Sequence, residues 1–173
     1  MRARGREDKE PTPLHARIEQ MLSEARVILP GVQVLLGFQL IIVMKHSFDA
    51  LSEDAKLIHA ASLVLLAIAV ILLMAPAAYH RIVCAGEDSA HFHRIGSLMV
   101  TAATVPLAFG LGADIGIVMM RIFRSATVGV VIAALATAAF LTLWHLLPLV
   151  LRVRRRNEAS ARPRGARGTV ARG

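Results

Sequence analysis

An all-α fold is what this sequence predicts: a four-transmembrane-helix up-down bundle with an N-terminal interfacial amphipathic helix and disordered tails. Three observations predict it. The stretch from Ala60 to Tyr79 runs for twenty residues without a charge, and at about 1.5 Å of rise per residue that matches the roughly 30 Å hydrocarbon core of a bilayer. Three more apolar runs, at about 27–44, 95–118 and 126–147, flank it at spacings that suit helical hairpins. The charges gather outside these four runs, mostly toward the two ends of the chain.

Composition narrows the class. Of 173 residues, 55% are hydrophobic, and the formal net charge is +8; apolar residues concentrated in four blocks exclude an ordinary soluble domain. The basic residues lie in the terminal segments, not on a folded face with interleaved aromatics, so the expected partners are the lipid bilayer and its anionic headgroups, and no nucleic acid. Cys84 is the only cysteine, which leaves no intrachain disulfide. The first apolar run begins near Val27 with no small-residue cleavage site after it, so it is expected to stay as an anchor.

Taken in order, residues 1–11 are polar and expected to be disordered. Residues 12–26 read as the interfacial helix, with Thr12 as cap and Pro13 in the first position, where no amide donor is needed. Leu14, Ile18, Met21, Leu22 and Ala25 form its apolar stripe, and Arg17, Glu19, Gln20 and Glu24 cover the other side. The transmembrane domain then occupies 27–151. Its first span, about 27–44, contains Pro30 and Gly31, which lipid tolerates; Lys45 and His46 end it. Ser52 is placed to cap the second helix, with Glu53 and Asp54 in the first turn, where the helix dipole favours negative charge. That helix enters the bilayer near Ala60 and leaves at Tyr79, His80 and Arg81. Residues 86–89 read as a turn before the third span, about 95–118; the segment MMRIFRS leads to the fourth, about 126–147, extending through Pro148 toward Leu151. Residues 152–173 form a basic tail, expected to be disordered beyond a turn or two.

Orientation follows from the basic residues. Six precede the first span, eight follow the fourth and two lie between Arg81 and Arg94, which places sixteen at the end of the termini against four at the other. The positive-inside rule puts both termini in the cytoplasm and the protein in the cytoplasmic membrane.

Several side chains stand out. Gly129, Ala133 and Thr137 recur at four-residue intervals, with Gly112 and Gly116 in the third span; small residues let helices approach closely in lipid, so the fourth helix is expected to be central and to pack within the chain. Asp114 is the only acidic residue inside an apolar run. Four residues from the end of its span, it is read as a carboxylate snorkelling to the outer interface within reach of Lys45 or Lys56, with an ion site as the alternative. Gln33 and Gln39 are about 240° apart on a helix and cannot share one site; one is expected to face a partner helix as interhelical glue while the other meets lipid or an oligomer neighbour. His80, Cys84, His91 and His93 contain metal-binding side chains without metal-site spacing, so no metal and no cofactor is expected. His145, beside Trp144, is read as interfacial, with a proton site as the alternative. Arg81 and Glu24 or Glu19 should meet at one membrane face and form a latch between helix ends.

The stretches EARVILPGVQVLLGFQL (24–40) and APAAYHR (75–81), within a four-span frame, resemble a family of small four-helix bacterial membrane proteins of unknown function, over about 14–151. Some members of that family are labelled sodium:proton antiporters, and it has no assigned catalytic or binding residues. The resemblance implies the fold and marks Glu24, Arg26, Gly31, Gln33, Gly37, Phe38, Pro76, His80 and Arg81 as family positions; Asp114 and His145 lie outside these motifs. With no catalytic motif, the sequence suggests not an enzyme but a structural, oligomeric or accessory membrane component, a homo-oligomer among the options. The alternative is a cation/proton transporter, although no ionisable group falls at mid-depth.

Overall fold

The computed structural model describes residues 13–83 and 89–161 of the chain. Helix α1 spans Leu14–Val43, the short α2 His46–Asp49, α3 Glu53–Ile82, α4 Ala90–Phe123 and α5 Ala126–Leu141; α5 passes through a π-helical segment, Thr142–Leu146, into α6, Leu147–Ala161. No strand occurs among the described residues. Among the described residues four helices, counting α5 to α6 as one, are long and apolar enough to cross a membrane. The expectations for residues 1–12, for Cys84, for most of the 86–89 turn and for residues 162–173 lie outside the described residues.

A seven-residue repeat explains the packing. In α3 the buried positions are Ala55, His59, Ser62, Leu66, Ala69, Leu73 and Pro76, alternating steps of four and three. In α4 they begin Phe92, Gly96, Val100, Ala103 and Leu107, and in α1 they are Ile18, Met21, Ala25, Val32 and Gln39. Such a stripe keeps facing a partner when helices cross at the shallow angle of a left-handed bundle. Antiparallel neighbours result: Ser62 of α3 meets Gly110 of α4, while Pro76 lies near Gly96, at the opposite end of the pair. Helix α1 runs antiparallel to α3 and parallel to α4, with Met21 against Gly96 and Gln39 against Asp114. Helix α5 returns antiparallel to α4, so that Thr137 sits over Gly112 and Gly129 over Gly116.

Several expectations are corrected. The interfacial helix of 12–26 and the first span are one unbroken helix, with Pro30 inside it. The stripe of Ile18, Met21 and Ala25 continues in register to Val32 and Gln39 and is buried in the protein core, not laid on lipid. Pro13, not Thr12, holds the N-cap position of that helix. Central place belongs to α4, which contacts α1, α3 and α5, whereas α5 packs on α4. The fourth helix outlasts the expected turn or two beyond Arg152 and reaches Ala161. Ser52 caps α3 as its sequence suggests, its Oγ accepting from the Ala55 amide at 3.3 Å.

Candidate functional site

Polar side chains from the three core helices meet near the end of the bundle opposite the termini. Gln39 of α1 and Ser62 of α3 occupy positions of the buried stripes, and both are fully enclosed. One stripe position after Gly110 on α4 stands Asp114, which therefore faces α1 and α3. The Gln39 amide Nε2 donates to the Asp114 carboxylate, at 2.6 Å to Oδ1 and 2.5 Å to Oδ2, and to Ser62 Oγ at 2.8 Å. Ser62 Oγ lies 2.8 Å from Asp114 Oδ1 and 2.9 Å from the Gly110 carbonyl; its single proton serves one of these acceptors at a time. Buried His59, one turn before Ser62, places Nε2 3.2 Å from the Gln39 backbone carbonyl. A carboxylate gripped by an amide and a hydroxyl joins three helices where apolar packing alone would leave their register less defined.

This cluster borders a cavity of about 400 Å³, also lined by Phe38, Phe48, Ile117 and Arg121. Its rim is built by α2: Phe48 packs edge-on against the His59 ring with centroids 5.4 Å apart, and Arg121 Nη2 donates to the Ser47 carbonyl at 3.1 Å. Within the cluster, Gln39 Oε1 is buried and has no hydrogen-bond partner.

The snorkelling reading of Asp114 is overturned. Its carboxylate turns inward to Gln39 and Ser62, and Lys56 pairs instead with Glu53 at 2.8 Å. The two glutamines divide as expected: Gln39 is interhelical glue, and Gln33 is exposed on the outer side of α1. The π-helical segment brings His145 Nε2 to 2.8 Å from Thr104 Oγ1 on α4, and that hydroxyl lies 2.6 Å from the Thr101 carbonyl. One extra residue in a turn redirects every side chain after it, which is how π segments re-aim a residue.

The small residues form a true seam between α4 and α5. A Cβ on Gly116 would stand 2.7 Å from Ala133 Cβ and 3.0 Å from the Gly129 carbonyl; one on Gly129 would stand 2.8 Å from the Gly116 carbonyl; one on Gly112 would collide with Thr137 Oγ1. Among the family positions, Pro76 is in the core and His80 rests on Phe92, with ring centroids 4.8 Å apart and Nε2 buried without a partner. Gly37 is half-buried, and Glu24, Arg26, Gly31, Phe38 and Arg81 are exposed. The latch does not form: among the described residues Arg81 has no ion pair with Glu19 or Glu24. Glu19 pairs with His15 at 3.3 Å, and Glu24 accepts from Gln20 at 3.1 Å. In the unbroken α1, Ala25 and Arg26 line the face toward the end of α3, and Glu24 lines the face toward α4.

His59 and Ser62 were not legible as site residues from their type alone. The available signal was spacing: Ala55, His59, Ser62, Leu66 follow the step of four and three that the buried stripe requires. No group of three or more His, Cys, Asp or Glu side chains able to hold a metal occurs among the described residues.

Comparison with curated proteins and with solved structures finds no match. A family model described as a family of unknown function, DUF6328, matches residues 8–148. That match covers most of the chain, including all three helices of the polar cluster and the seam on α5, so the protein belongs to the DUF6328 family.

Proposed function

We propose that this protein is a structural or accessory component of the cytoplasmic membrane, not an enzyme, with both termini in the cytoplasm. The orientation rests on sixteen basic residues at the end of the termini against four at the other. The observation that supports the role is the self-pairing of the intramembrane polar groups: the Asp114 carboxylate is taken up by Gln39 and Ser62, which makes it a fastener of α1, α3 and α4. Interhelical hydrogen bonds of this kind contribute about 0.6 to 2 kcal/mol each in lipid.

A second reading, a cation/proton transporter, is favoured by one specific observation. Gln39 Oε1 is buried without a partner in a cluster that borders the cavity beside Asp114, and an ionisable group inside a membrane span is a natural binding site. Proton and sodium flux through the purified protein in liposomes separates the two. Under the first reading, flux equals that of protein-free liposomes; flux above that level, abolished by Asp114→Asn, replaces it with the second.

A further inference from the structure

Helices α1 and α3 meet differently at their two ends. Near the end opposite the termini the Gln39 amide reaches Ser62 Oγ at 2.8 Å. Toward the end that carries the termini a groove of about 690 Å³ opens between the two helices, with exposed Arg26 on the α1 side and exposed Arg81 on the α3 side. Its floor there consists of small residues, Ala25, Ala75 and Ala78; deeper in the bundle its walls are Leu29, Ile71 and Met74. No carboxylate lines it, and among the described residues neither arginine forms an ion pair or a hydrogen bond.

The depths of these groups follow from the helix rise. Arg26 stands thirteen residues before Gln39 and Arg81 nineteen residues after Ser62, about 20 Å and about 28 Å from that contact. Tyr79, where the uncharged run of α3 ends, falls between them, so the boundary of the hydrocarbon core passes between the two arginines. Side chains on a helix lean toward its N-terminus. In the antiparallel pair that direction carries Arg26 outward and Arg81 inward, which brings the two guanidiniums toward one level at the boundary. Beneath that level the groove is wholly apolar.

We propose that this groove binds one phospholipid of net negative charge, its phosphate held between Arg26 and Arg81 and an acyl chain lying along Leu29, Ile71 and Met74. The order along the bilayer normal is that of a phospholipid, with the phosphate outermost and the chains beneath. Guanidiniums match phosphate oxygens in charge and in hydrogen-bond geometry, and the groove offers the second positive charge no acidic side chain. A zwitterionic lipid would set its own ammonium or choline in that positive field, whereas an anionic headgroup adds no cation to it. The apolar length of the groove suits acyl chains, so the occupant is a membrane lipid and not a soluble phosphate. The assignment rests on the chain crossing a bilayer and holds whether the protein is an accessory component or a transporter.

The test is lipid retention by the full chain in nanodiscs containing equal amounts of phosphatidylglycerol, phosphatidylethanolamine and phosphatidylcholine, read by mass spectrometry of the protein with its bound lipid. Phosphatidylglycerol should be retained in preference to the other two. Relative to phosphatidylcholine, its retention should fall about three-fold in Arg26→Gln and in Arg81→Gln, and about ten-fold in the double variant, as two partly exposed guanidiniums on one phosphate allow. Arg154→Gln with Arg155→Gln, which removes two charges from α6 at the same end of the bundle, should leave it unchanged. Ala78→Trp, which fills the floor between the arginines and keeps both charges, should remove it. All these positions are exposed, so the melting curve in detergent should stay in place in each variant. Equal retention of the three lipids, a loss as large in the α6 variant as in the groove variants, or retention unaltered by Ala78→Trp overturns the proposal. Displacement of the lipid by soluble glycerophosphoglycerol, which has the headgroup and no chains, overturns the assignment to a membrane lipid.

Discussion

Side chains fill the space where α1, α3 and α4 meet, with Ile18, Leu66, Leu73, Phe92 and Leu107 in one cluster, whereas α4 and α5 meet through backbone, with Gly116 and Gly129 almost touching. The first region has polar fasteners as well, Gln39, Ser62 and Asp114; beside the second, among the described residues, one hydrogen bond between side chains crosses from α4 to the π-helical segment that follows α5, Thr104 to His145. In a solvent as apolar as the side chains, burial of Leu gives little drive toward association, and close packing and hydrogen bonds must supply it. The two regions show those two means separately. Packing by small residues is intolerant: an added carbon meets a carbonyl that cannot rotate aside. Packing by large side chains is more forgiving, because a neighbour can change rotamer.

The sharpest way to break this contrast is at the seam. Gly129→Leu should cost about 3 kcal/mol in unfolding of the detergent-solubilised protein, since the new Cβ stands 2.8 Å from the Gly116 carbonyl and from Met120 Cβ. Gly31→Leu and Gly37→Leu should leave the melting curve in place, because nothing lies within 4 Å of a Cβ at either position. Equal effects at all three glycines would remove the distinction between seam and surface. In the three-helix region, Ser62→Val should cost about 1 to 2 kcal/mol by chemical unfolding, because it leaves the Gln39 amide and the Asp114 carboxylate each short of a partner. Asp114→Asn should cost less, about 1 kcal/mol, since the smaller change keeps the shape and part of the bonding. A neutral Ser62→Val would show that packing alone sets the register of α1, α3 and α4.

The four long helices were legible because length and uninterrupted apolarity decide them locally, residue by residue. The Gly-and-Ala row of α5 was legible as a packing face, but its place in the bundle was not: small residues show that a helix comes close to something, not how many neighbours it has. Sequence distance from a span boundary does not predict the inward turn of Asp114. The heptad stripe of α4 does, since position 114 continues the row through Leu107 and Gly110. The π-helical turn at Thr142–Leu146 has no local signature in TLWHL, and it decides where His145 points. The stripe from Ile18 to Ala25 is apolar, as an interfacial helix requires, but its register with Val32 and Gln39 makes it part of the core.

The smallest expected effect concerns the charges at the end carrying the termini, which contrast with the polar fasteners deep in the bundle. Glu24 and Arg81 are both exposed and turn to different neighbours, Glu24 to a cleft beside α4 and Arg81 to the face it shares with Arg26 and Leu22. Charges that share no partner and face apart should behave independently, with additive effects to within about 0.5 kcal/mol. The double exchange Glu24→Arg with Arg81→Glu should therefore melt at the temperature expected from the sum of the two single variants. Recovery by the exchange would mean that the pair meets in the membrane-embedded protein. Additivity would set these charges apart from Gln39 and Asp114, where single changes should couple strongly because the two groups share hydrogen bonds.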